Sequence, residues 1–178
     1  MNAAAAYIDA LNRELGTQFA LSESGALTFD LDGRAALMQW SEARQGFLIY
    51  VEIGGLLGWR DAEVMKHLLA ANFLFMASDG GALSLDPATS RAGLNFFLPI
   101  YGLDPEAFVK RLDAALLAAD RWAEKLAQIC EAEERLAVKE SGPDASVPAG
   151  VREASAAPAR QAAPVDPFGQ DYFGMLAV

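Results

Sequence analysis

Few residues in this sequence have types and spacings suited to covalent or metal chemistry. There is one histidine, His67, and one cysteine, Cys130. A zinc-type site needs three or four His, Cys or carboxylate ligands at short fixed spacings, and no second His or Cys lies near either residue. No metal and no cofactor is therefore expected, and His67 reads as a partly exposed helix histidine. A histidine-based triad has no Gly-x-Ser-x-Gly elbow to build on. The stretch "GGLLGW" is glycine-rich, but no Lys-Ser/Thr follows it, so it is not a phosphate loop. "DLDG" (Asp30 to Gly33) resembles the start of a calcium loop, yet position 12 counted from Asp30 is Ser41, where a bidentate Glu is required. Asp32-Gly33 reads instead as a tight hairpin turn. Cys130 falls beside an apolar helix stripe and reads as packing rather than nucleophile. No catalytic residue is expected, and the sequence points to binding rather than catalysis.

The elements that would carry a binding surface follow from periodicity. Residues 2–15 read as a helix, with Asn2 as a possible N-cap, Tyr7, Ile8, Leu11 and Leu15 at helical spacing and Gly16 as the stop. "ALTFDLDGRAALMQW" reads as strand, turn and strand, and "GFLIYVEI" as a third strand after the polar break "SEARQG". From Arg60 to about Met76 the period becomes helical again, with apolar residues over more than one stripe. "GGALSLDP" and "AGLNFFLPI" read as two further strands. Asp104 then caps a helix with Pro105 at its first position. That helix has Phe108, Leu112, Ala115, Ala119, Trp122, Leu126 and Ile129 along one stripe. The order α-β-β-β-α-β-β-α makes an α+β sandwich, an antiparallel sheet packed by helices.

Composition narrows the partners. The 178 residues are 53% apolar, which is enough for a core in one domain plus a tail. Twenty-four acidic against 14 basic residues give a net charge of −10. Such a surface repels phosphate backbones, so nucleic acid is not expected as a partner. No run approaches the roughly 18 apolar residues of a membrane span, and membrane insertion is not expected. The N-terminal stretch has neither the basic nor the continuous apolar part of a secretory signal. A single cysteine excludes an internal disulfide and fits the cytoplasm.

The strands themselves ask for a partner. In the third, Phe47, Ile49, Val51 and Ile53 point one way and Leu48 and Tyr50 the other. Met38 and Trp40 oppose Leu37 and Gln39, while Leu94, Phe96 and Leu98 oppose Phe97. Helices of the same chain can cover one face of such a sheet. An apolar second face is then left to be covered by a partner or by another helix of the chain. The candidate binding residues are Leu11, Met38, Trp40, Leu48 and Tyr50.

This order in a small acidic protein resembles the class I chaperones of type III secretion systems. The likeness is most evident in "LLAANFLFMASDGGALSLDPATSRAGLNFFLPIYGLDPEAFVKRLDAALLAADRWAEKL", residues 68–126. The resemblance implies a homodimer built through the second helix and fourth strand, here Val64, Leu68, Leu69, Phe73, Leu83 and Leu85. It also implies a secreted effector whose N-terminal segment wraps the dimer in extended form, adding strands to sheet edges and placing apolar side chains in grooves. Components of the secretion apparatus are further candidate partners. A regulatory or scaffold protein using the same fold is the alternative.

The folded part is expected to span 1–136. Residues 137–167 hold five of the eight prolines and nine alanines, and read as a flexible linker. The end, "FGQDYFGMLAV" at 168–178, brings back Phe168, Tyr172, Phe173, Met175 and Leu176. With a linker reach of roughly 30 Å, this segment is expected to dock as a tethered placeholder on the groove until a client displaces it.

Overall fold

The computed structural model describes residues 4–58, 60–75, 77–86 and 89–140. The segment 168–178 and the linker from 141 onward lie outside the described residues. Among the described residues, three α-helices and five strands follow one another in the expected order: α1 Ala5–Leu15, β1 Ala26–Leu31, β2 Arg34–Ser41, β3 Gly46–Gly55, α2 Asp61–Ala71, β4 Ala82–Asp86, β5 Arg91–Pro99 and α3 Pro105–Glu140. The strands form one antiparallel sheet in the order β1-β2-β3-β5-β4.

Local chemistry explains most boundaries. Gly16 closes α1 in the left-handed region, at φ 64°. Asp32 and Gly33 both take positive φ, as a two-residue hairpin turn demands, and the Asp30 carboxylate accepts the Gly33 N–H at 2.8 Å. Asp104 caps α3, its Oδ1 accepting the Ala107 N–H at 2.8 Å. α3 continues past Leu136 to Glu140, a length of about 54 Å.

One boundary departs from periodicity. The sequence reads as helix to about Met76, but α2 stops at Ala71 and a 3-10 turn follows at Phe73–Phe75. The carboxamide of Asn72 is tied to β4, and Leu74 and Phe75 both adopt φ of 55°, which breaks the helix. Such a backbone costs non-glycine residues about 1–3 kcal/mol each.

The core lies between the helices and one sheet face. α3 packs on β3 and β5, α1 packs on α3, and α2 packs on α3 and β4. Met38, Trp40, Phe47, Ile49, Val51, Leu94, Phe96 and Leu83 meet Leu11, Val64, Leu68, Phe108, Leu112, Trp122 and Leu126 there. At this core Phe47 lies 5.1 Å from both Trp40 and Phe108 in tilted ring contacts, and Tyr7 meets Phe108 edge-on at 5.3 Å. The Tyr7 hydroxyl donates to the Leu103 carbonyl at 2.7 Å, so the half-buried ring packs on the core without stranding its polar end.

Candidate interaction surfaces

Three surfaces remain once the core is filled. The first is the other sheet face. Directly opposed residues of antiparallel strands share a face. The register pairs Leu37 with Tyr50, Gln39 with Leu48, Leu48 with Phe97 and Tyr50 with Asn95. Leu37, Leu48, Tyr50 and Phe97 therefore form one apolar strip across β2, β3 and β5. Leu37 is buried but stands apart from the helix-covered core, and Phe97 is exposed. Arg44 lies 6.0 Å from the Phe97 ring centre, within cation–π range.

Glycines let this strip lie flat. A Cβ on Gly93 would stand 2.0 Å from Tyr50 Cε2, and one on Gly46 2.6 Å from Phe97 Cζ. Both rings thus rest on bare backbone. Burial, then the Glu52 and Asp86 carboxylates, push the Tyr50 phenol up to about 12, with Arg91 opposing. The hydroxyl stays protonated, and a hydrogen-bond donor, throughout the neutral range.

The expected binding set does not lie on one face. Leu48 and Tyr50 belong to this strip, whereas Leu11, Met38 and Trp40 are inside the helix-covered core, Trp40 with only 9% exposure. The Trp40 indole N–H donates to Glu42 Oε2 at 2.9 Å. On this face Phe97 is exposed, while Leu37, opposite Tyr50, is buried. The signal for Phe97 was present in the sequence, because it opposes Leu94, Phe96 and Leu98 within its own strand.

The second surface is a groove of about 450 Å³ between α1 and α3. Leu11, Leu15, Val109, Leu112 and Leu116 line it, with Lys110 and Asp113 among its charged lining residues.

The third is the outer side of α2. Of the six residues expected at a dimer contact, Val64, Leu68 and Leu83 are interior and Leu85 is half-buried, while Leu69 is 62% and Phe73 74% exposed. Leu74 and Phe75 are exposed as well. α2 is apolar on two sides, but its inner stripe is filled by its own chain, so only the outer stripe is left for another molecule.

His67 proves to have a partner that spacing did not reveal. Glu133 of α3 accepts from Arg60 Nε and Nη2 at 3.0 and 2.8 Å through Oε2, and meets His67 Nε2 at 3.2 Å through Oε1. The hydrogen bond from Arg60 first, and that from His67 second, hold the Glu133 carboxyl below the usual glutamate range. This clamp ties α2 to α3. Cys130 is half-buried beside it, its thiol pushed up by burial and by nearby carboxylates. Among the described residues, no three His, Cys, Asp or Glu side chains converge as metal ligands would.

The described residues thus form a helix-backed sheet with a partly exposed apolar strip on its other face. Residues 7–123 match the model of the Tir chaperone protein (CesT) family, and the chain belongs to that family. This bears out the resemblance to type III secretion chaperones. Solved structures share the fold. A chain of the ExsC–ExsE complex is 18% identical, covering 67% of this chain and 90% of its own, with a TM-score of 0.59. A chain of the HopA1–SchA chaperone–effector complex is 17% identical over 67% and 89%, with a TM-score of 0.53. One from the heterodimeric ExoU–SpcU complex of the Pseudomonas aeruginosa type III secretion system is 23% identical over 70% and 98%, with a TM-score of 0.50. No curated protein matches the chain in sequence.

Proposed function

We propose that this protein is a cytoplasmic, non-enzymatic chaperone of type III secretion that holds the N-terminal segment of an effector in extended form before export. The family match across residues 7–123 carries this reading. The apolar strip Leu37–Leu48–Tyr50–Phe97 and the α1–α3 groove supply sites for alternate apolar side chains of an extended segment, with backbone pairing adding affinity. Holding by buried area requires no nucleotide. No helix among the described residues is long and apolar enough to cross a membrane.

Two copies associate through the outer side of α2, where Leu69, Phe73, Leu74 and Phe75 put four large apolar side chains into solvent within seven residues. The test is genetic and biochemical. In a host strain lacking this chain, one secreted protein should accumulate inside the cell. That protein should co-purify with the full-length chain through its N-terminal segment. Unchanged secretion of every exported protein overturns the reading, and co-purification of a folded partner without its N-terminal segment indicates a scaffold instead.

A further inference from the structure

Sheet edges present unpaired N–H and C=O groups, a template for any passing strand. Here the edges belong to β1 and β4. On β4, the Leu83 N–H donates to Asn72 Oδ1 at 2.8 Å and the Leu83 C=O accepts from Asn72 Nδ2 at 2.9 Å. Along an antiparallel strand, alternate residues turn both backbone groups to the same side. Leu83 and Leu85 thus face outward, while Ala82, Ser84 and Asp86 face β5. A carboxamide presents one acceptor and one donor side by side, as a peptide unit does. Asn72 fills the place that one residue of a sixth strand would take. It is held there by the end of α2, where its N–H donates to the Leu68 carbonyl at 3.1 Å.

The other edge has a comparable device at its start. Ala26 of β1 donates its N–H to Ser22 Oγ at 3.0 Å, and its carbonyl accepts from the Ser22 N–H at 2.8 Å. Beyond Ala26, Thr28 and Asp30 still face outward, two positions against the single Leu85 on β4.

We propose that Asn72 is an edge guard: it occupies the Leu83 position of β4 and keeps that edge from pairing with β4 of a second copy. The second copy is the relevant occupant because Asn72 sits directly before Phe73, inside the exposed apolar segment described above. A two-fold contact there brings two identical β4 edges together, and antiparallel self-pairing is the contact a two-fold axis allows. The inference rests on the reading of that segment as the dimer surface. With the guard in place, copies meet through side chains and the sheet ends at five strands.

The test compares full-length wild type, Asn72→Ala and the double variant Asn72→Ala/Leu85→Pro by light scattering over a concentration series. Leu85→Pro removes the remaining outward N–H without touching the β4–β5 ladder. Asn72→Ala should stay dimeric at concentrations several-fold lower than wild type, because the paired edges add to the same two-fold contact, and the double variant should dissociate as wild type does, a rescue that a merely structural role would not give. A folded Asn72→Ala that dissociates at the wild-type concentration, or tighter association that persists with Leu85→Pro, overturns the proposal. If Asn72→Ala does not fold, amide exchange in the wild type decides. Leu83 should exchange slowly and Leu85 fast, and equal rates overturn the guard. A monomeric wild type refutes the dimer reading alone, leaving the Asn72→Ala comparison to judge the guard.

Discussion

Residue identity at a few positions separates core from surface. Trp40 packs on Phe47 within the core, so Trp40→Ala should cost about 3–5 kcal/mol in denaturant unfolding. Leu48→Ala, on the open strip, should cost far less. Equal losses would mean the strip is covered. The same contrast holds on α2. Leu68→Asp buries an unpaired charge and should leave no folded protein. Leu69→Asp, on the exposed side, should fold and sediment as a monomer. A dimeric Leu69→Asp variant would remove the outer side of α2 from the interface. The alternation within each strand was legible in the sequence, since Leu48 and Tyr50 oppose Phe47 and Ile49. The phase between strands was not, because both faces of β3 are apolar. Only the register, with Gln39 beside Leu48, shows that Met38 and Trp40 share the face of Phe47.

At the scale of elements, α3 was readable because one unbroken apolar stripe and an Asp-Pro start mark it. The end of α2 was not, since Leu69, Phe73 and Met76 keep helical spacing while a long-range bond from Asn72 to β4 ends the helix. The Glu133 clamp was equally hidden, because its three residues lie up to 73 positions apart. It makes a pH prediction. A carboxyl whose folded pKa is depressed adds stability above its unfolded value of about 4.3, and that stability is lost as pH falls through the folded value. Wild type should therefore exceed Glu133→Gln in unfolding free energy at neutral pH, and the difference should shrink below about pH 4. A pH-independent difference would show that the charge is not what ties α2 to α3.

At the scale of the whole molecule, the order of elements and the family resemblance carried by residues 68–126 pointed to a secretion chaperone. They did not show which surface takes the client, because that depends on which side of the sheet the helices cover. In the structure α1 and α3 cover the Phe47 side and leave the Phe97 side open. The most direct test is calorimetric titration of the co-purifying partner's N-terminal segment into full-length wild type and Phe97→Asp. Wild type should bind it, and Phe97→Asp should bind more weakly by on the order of 2 kcal/mol, about thirtyfold, with an unchanged melting temperature. No binding to wild type, or equal affinity in the two proteins, would contradict the account.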